Sequence, residues 1–316
     1  MNNTNEKKNI FAYFPVVVVT AIFCCILWGS ATPAIKIAYK LFNIGVDDVN
    51  SRLMLAGVRF MIAGIMTILF GSIISKKFLF PKKASAKYIL ILSLLQTVGQ
   101  YYFFFMALAH TSGVRGSVIN ASGNFFAILF AVYIFRTEKM TLRKITGCIV
   151  GFIGILVILG TGSNFFSGTV TLKGEGAMLI ATLFYAASGC CIKFFSKHEN
   201  PVVLSGYQFV IGGFILYIIG LLMDGTLIFS SVSCYTNMIY MGFISAGAYT
   251  LWGILLKYNP VSRVSILGFM NPIMGVLLSA LFLGENREAF SLKSLLALIL
   301  VVLGIIIVNT QNNIKN

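Results

Sequence analysis

The chain has 316 residues, of which 58% are hydrophobic and only 10% charged, with a mean hydropathy of +0.91. A soluble protein of this length needs a charged surface that such a composition does not supply, so the chain is read as an integral membrane protein. Its formal charge of +15, from 24 Lys and Arg against 9 Asp and Glu, would fit a nucleic-acid binder if the cations ran together; they lie instead between apolar blocks, and no nucleic-acid partner is expected.

Residues 1–14 are expected as a cytoplasmic N-terminal tail. The apolar run after Phe14 outlasts a signal-peptide core and has no small-residue cleavage site near its end, so it is read as a retained first helix. A bilayer span takes about 20 apolar residues. Such runs centre on residues 15–36, 53–75, 88–109, 113–135, 143–161, 174–195, 201–222, 236–256, 261–283 and 292–309, which predicts an all-α protein with ten transmembrane helices. Pro81, Pro201 and Pro260 punctuate the span edges. Of the six cysteines, Cys24, Cys25, Cys148, Cys190 and Cys191 fall inside spans and Cys234 just outside; without metal-ligand spacing they are read as small packing residues. No motif calls for a cofactor.

Short positive loops stay cytoplasmic. With the N-terminus inside, 16 of the 24 Lys and Arg lie on the cytoplasmic side, seven outside, and Arg59 within a span. Both termini are therefore expected in the cytoplasm, the C-terminal tail being residues 310–316.

The second half repeats the first. Residues 113–138 match 260–285 at a constant offset of 147, placing Asn124 on Asn271 and Glu138 on Glu285. With local gaps, Trp28 pairs with Tyr185, Lys36 with Lys193, and Arg59-Phe60 with Gln208-Phe209. Five spans per half, over 15–161 and 174–309, set the halves in opposite orientations, and such inverted repeats are a signature of transporters. Duplication also occurs in membrane enzymes and scaffolds.

Several segments now resemble the drug/metabolite transporter superfamily, specifically its EamA-type members with ten helices. They are Trp28-Gly29-Ser30 with Lys36, Arg59-Phe60, Glu138 followed by Gly147 and Gly154, Asn271-Pro272, the run 281–285 ending in Glu285, and Gly304. The resemblance covers about residues 15–309. It implies a carrier of small metabolites in the plasma or bacterial inner membrane, working by alternating access, with a cavity lined mainly by helices 1, 3, 4, 6, 8 and 9. Members often have a proline midway along helix 4, where this chain has Phe125, so a helix-4 kink loses its usual cause. The small multidrug resistance branch relies on a glutamate in the first helix, and none stands there.

All nine acids, Glu6, Asp47, Asp48, Glu138, Glu175, Glu199, Asp224, Glu285 and Glu288, fall in tails, connections or span ends. A lipophilic cation or a proton relay would want a carboxylate at mid-depth, which argues against a cation–proton exchanger. His110 and His198 also sit at helix ends, where an ordinary interfacial hydrogen bond is expected. The mid-depth polar groups are neutral. Helix 4 offers Ser117, Asn120 and Asn124 on one face, helix 3 Gln96 and Gln100 followed by the aromatic run Tyr101 to Phe105, helix 8 Ser245, Tyr249 and Trp252, and helix 9 Asn271. Such amides either line a cavity or tie helices together.

Trp28, Tyr185, Tyr249 and Trp252 would give flat apolar walls with polar tips, or simply pack. The candidate substrate-binding set is thus Trp28, Gln100, Asn120, Asn124, Tyr185, Tyr249, Trp252 and Asn271. Pro33 and Pro272 would loosen helices 1 and 9. Arg59, about 10 Å deep at 1.5 Å per residue, has the neutral Gln208 as its repeat partner and would snorkel outward or bond carbonyls of helix 1, in a structural or gating role. Lys36 and Lys193 mark helix ends or draw in an anion, and Glu138 and Glu285 are assigned to capping the following helix. Gly147, Gly151 and Gly154 make a ridge that packs within the monomer or dimerises it, so the oligomeric state stays open.

The expected function is a secondary transporter, an exporter of a small amino acid-like or other neutral or zwitterionic metabolite. The alternatives are an organic-anion or phosphate-metabolite exchanger using Lys36, Lys193, Arg59 and Arg263, and a non-transporting membrane scaffold. The expected partners are a small-molecule substrate and the lipid bilayer. No paired acids, acid–histidine cluster or P-loop points to an enzyme or an ATP-driven pump.

Overall fold

The computed structural model describes residues 9–45, 47–111, 116, 119–159, 171–283 and 292–310. Among these residues every regular element is helical: α1 (Phe14–Leu41), α2 (Val49–Ile74), α3 (Lys83–His110), α4 (Ile119–Ile134), α5 (Leu142–Leu159), α6 (Leu172–Phe195), α7 (Pro201–Leu222), α8 (Val232–Tyr258), α9 (residues 261–283) and α10 (Leu292–Asn309). Six of them, α1, α2, α3, α6, α7 and α8, are long and apolar enough to cross a membrane; Ile119–Ile134 and Leu295–Asn309 are shorter apolar helices.

Local chemistry sets the helix ends. Pro15 opens α1 and Pro201 opens α7, where a missing N–H costs nothing. Asp48 accepts the Ser51 N–H at 2.9 Å to cap α2, and Asn200 accepts that of Val202 at 2.9 Å to cap α7. Both α2 and α7 are followed by a left-handed residue, Lys76 at φ 51° and Asp224 at φ 60°, a repeated ending for two repeat-related helices. α1 runs to Leu41, beyond its expected end at residue 36, so Lys36 lies within the helix.

Four helices depart from regular winding, α6 only in its first turn, the π-helical Leu172–Gly176. In α3, Ser93–Gly99 forms a π-helix. α4 is interrupted at Ser122, whose N–H bonds the Ile119 carbonyl at 3.0 Å, so the helix breaks here without a proline. In α9, Ile266–Phe269 tightens to a 3-10 turn just before Pro272, which can offer no N–H to the Gly268 carbonyl one turn back.

The packing follows the repeat. α1 lies against α8 and α9, and α6 lies against the counterparts α3 and α4; α2 packs on α7, and α5 on α10. Glycines make these crossings close. A Cβ at Gly64 would stand 2.5 Å from the Gly206 carbonyl oxygen, and one at Gly57 2.7 Å from that of Gly213. One at Gly29 would meet the Met274 carbonyl carbon at 2.8 Å, which fixes α1 against α9. A Cβ at Gly147 would approach the Gly304 carbonyl oxygen to 2.8 Å, and one at Gly154 that of Ala297 to 2.9 Å, so this ridge packs against α10 inside the monomer.

The distribution of side chains is that of a protein in lipid. Ile65, Leu69, Ile73, Leu296, Ile299 and Ile306 face outward, while Arg59, Gln96, Thr97, Asn124 and Gln208 are buried.

Candidate substrate site

The candidate site lies where residues of α1, α3 and α8 meet beside the α2–α7 crossing. Tyr249 and Trp252, one turn apart on α8, are both buried. Trp28 of α1 stands edge-on to them, with ring centroids 5.2 Å from Tyr249 and 5.0 Å from Trp252. The Tyr249 hydroxyl shares a 2.6 Å hydrogen bond with that of Tyr101 on α3. Below this pair Phe60 stacks on Phe209 at 5.2 Å, and Phe60 and Phe209 meet Tyr101 and Tyr249 edge-on at 4.6 and 5.2 Å. Tyr101 with Tyr249 and Phe60 with Phe209 are repeat-equivalent pairs, so both contacts join equivalent positions of the two halves.

On the other side, the Tyr185 hydroxyl of α6 donates to Asn124 Oδ1 at 3.4 Å. The Asn124 amide lies on Gly268 of α9: a Cβ there would be 2.4 Å from Oδ1. Cys25 of α1, one turn before Trp28, donates its thiol to the Leu267 carbonyl at 3.6 Å, beside Gly268, which joins the two groups of residues. Trp28 Nε1 and Gln100 Oε1 are buried without a hydrogen-bond partner among the described residues, a condition a polar ligand would relieve.

Trp28, Tyr185, Tyr249, Trp252 and Asn124 therefore come together. Asn120 is exposed one turn before Asn124, and Asn271 is half-buried beside the half-buried Pro272. Pro33 is buried in α1 and Lys36 is exposed. Gln208 is wired into α3: it donates to Gln96 Oε1 at 3.0 Å and accepts from Thr97 Oγ1 at 2.7 Å. Lys193 closes the end of α8, its ammonium donating to the carbonyls of Leu256 and Asn259. Arg59 does not reach outward. It is buried, with its guanidinium 4.5 Å from the Phe60 ring centroid and 5.3 Å from that of Tyr101. Ser117 and Glu285 lie outside the described residues.

Glu138 caps a helix, but of the other half. Its carboxylate accepts the Ser262 N–H at 3.2 Å and the Ser262 hydroxyl at the start of α9, and pairs with Lys144 of α5 at 2.8 Å. Burial raises its carboxyl, and the Lys144 and Ser262 hydrogen bonds outweigh that to hold it below the ordinary value of 4.5.

Tyr101 was not singled out by sequence, although its hydroxyl pairs with Tyr249. Five consecutive aromatics, 101–105, hide which one turns inward. Its position opposite Tyr249 in the repeat, at an offset of 148, is the signal that separates it from its neighbours.

A helical membrane protein built from two interlocked repeats, with aromatic and neutral polar groups at their junction, defines the class as a membrane transporter. The EamA-like transporter family matches the chain twice, over residues 16–160 and 172–310, and the chain belongs to that family. It is 25% identical to the Escherichia coli "Probable amino-acid metabolite efflux pump", covering 85% of this chain and 87% of that protein. A protein of the same description from Salmonella typhimurium is 23% identical over 86% of this chain and 88% of its own length. The Synechocystis "Uncharacterized transporter sll0355" is 26% identical over 99% and 93%. One solved crystal structure superposes with a TM-score of 0.76 at 16% identity, covering 94% of this chain and 97% of that one, a likeness of fold.

Proposed function

We propose that the chain is a secondary exporter of small amino acid-like or other neutral or zwitterionic metabolites. In this reading it crosses the plasma or bacterial inner membrane ten times, with both termini in the cytoplasm. The observation that carries it is the junction itself: neutral hydrogen-bonding groups, Asn124, Tyr101, Tyr185 and Tyr249, beside the faces of Trp28 and Trp252. Such a lining suits a molecule with an apolar body and polar ends. The α1–α9 and α6–α4 packings are interchangeable by the repeat, which supports alternating access. The naming of the enterobacterial relatives as amino-acid metabolite efflux pumps supports the substrate class.

The test is a thermal-stability screen of the purified protein against amino acids, amines, sugar phosphates and carboxylates, followed by counterflow of each stabilising compound in proteoliposomes. A ligand at 100 times its Kd that binds only the folded state adds about 2.7 kcal/mol. Amino acids are expected to stabilise and to exchange, and Trp252→Ala and Asn124→Leu to remove both effects. Stabilisation by sugar phosphates alone, with unchanged behaviour in both variants, would overturn the reading. Lys193 is a poor anion site because its ammonium already serves the end of α8.

A further inference from the structure

We propose that Arg59 anchors the substrate through a carboxylate, a deepening that rests on the junction being the transport site. Arg59 lies mid-helix in α2 and is only 5% exposed. Two aromatic rings lie beside its guanidinium, at 4.5 and 5.3 Å, but rings cannot accept its five N–H donors. Among the described residues it makes no ion pair, and its buried Nε has no acceptor. A buried guanidinium in that condition is costly unless an anion comes to it.

The repeat shows what a purely structural residue at this place looks like. The equivalent Gln208 of α7 is satisfied by Gln96 and Thr97 of α3, and the Gln208 carbonyl accepts from Ser93 Oγ at 3.2 Å. At the offset of 148 that pairs Tyr101 with Tyr249, the counterparts of Gln96 and Thr97 on α8 are Ile244 and Ser245. Ile244 can accept nothing. The half that carries the cation thus has Ile244 where its counterpart has the amide that accepts from Gln208, and the guanidinium is left beside the ring of Tyr101, whose hydroxyl pairs with that of Tyr249. A carboxylate meets such a planar donor set in a forked, charge-assisted geometry. Trp28, Trp252 and Tyr249 would then face the rest of the molecule, including any ammonium group, through their rings.

The test uses full-length protein in lipid nanodiscs and three matched probes: L-leucine, L-leucinamide and 4-methylpentanoate. Binding is read by thermal shift and titration in wild type, Arg59→Gln, Arg59→Lys and Trp252→Ala. Both carboxylates are expected to bind wild type, with L-leucinamide about ten- to hundredfold weaker, the range of one charged hydrogen-bonded contact. Arg59→Gln should erase that preference, and Arg59→Lys, which keeps the charge without the fork and covers the case of a poorly folding glutamine variant, should reduce it. L-leucinamide binding as tightly as L-leucine, or undiminished carboxylate preference in the Arg59 variants, overturns the anchor alone if Trp252→Ala still weakens all three probes. If no probe binds wild type, or Trp252→Ala changes nothing, the site reading falls and the anchor with it.

Discussion

Asn124 is held by shape as much as by hydrogen bonding. Its amide donates to the Ala121 carbonyl at 3.4 Å and accepts from Tyr185, while Gly268 gives it room on the third side. Gly268→Ala is therefore expected to destabilise the protein by about 1–3 kcal/mol, the cost of forcing a methyl group into a filled site. Asn124→Ala should relieve much of that loss, so a thermal double-mutant cycle will show coupling between the two positions. Glu138 makes a second residue-scale prediction. Its pKa is depressed in the folded state, so its contribution is full above the ordinary value of 4.5 and is lost as pH falls through the lowered value. Melting temperature should drop in that acidic window in wild type, and Glu138→Gln, weaker by about 2 kcal/mol at neutral pH, should show less of the drop. Asn124 was legible in the sequence because Asn271 repeats it. That Glu138 caps α9 across the halves was not, since its chain neighbour α5 offered a nearer helix to cap.

The crossing of α2 and α7 is made by glycines seven apart on each helix, Gly57, Gly64 and Gly71 on one and Gly206, Gly213 and Gly220 on the other; Gly57 meets Gly213 and Gly64 meets Gly206, while Gly71 lies against Val202 and Gly220 against Asn50. Without a hydrophobic drive between helices in lipid, close van der Waals contact is what joins them. Gly64→Ala, whose methyl would stand 2.5 Å from a carbonyl oxygen, should lower the melting temperature markedly; Gly45→Ala, with its nearest neighbour 4.0 Å away, serves as the tolerant control. Equal melting of the two variants would refute the close-contact account. The glycine spacing is visible in the sequence, but only the partner helix gives it meaning. The irregular windings are less visible still. The Ser122 break in α4 lacks its expected proline, and the π-helix Ser93–Gly99 contains only ordinary helix and membrane residues. That segment turns Thr97 and Gln96 toward Gln208, so tertiary hydrogen bonds, more than local propensity, account for it.

At the scale of the whole molecule, each half supplies what the other lacks. α1 finds its partners α8 and α9 in the second half, and α6 finds α3 and α4 in the first, so neither repeat closes its own core. The repeat was readable from the offset of 147, whereas this exchange of partners needs three dimensions. The two contacts between equivalent positions, Tyr101 with Tyr249 and Phe60 with Phe209, join the halves at the depth of the proposed site. The chain has only two tryptophans, and Trp28 and Trp252 both stand there with ring centroids 5.0 Å apart. The protein thus carries a built-in optical reporter: its entire indole emission originates within the junction, free of background from elsewhere in the fold. A solute entering the site should shift or quench that emission in the unlabelled protein, and stopped-flow mixing would time its arrival and release.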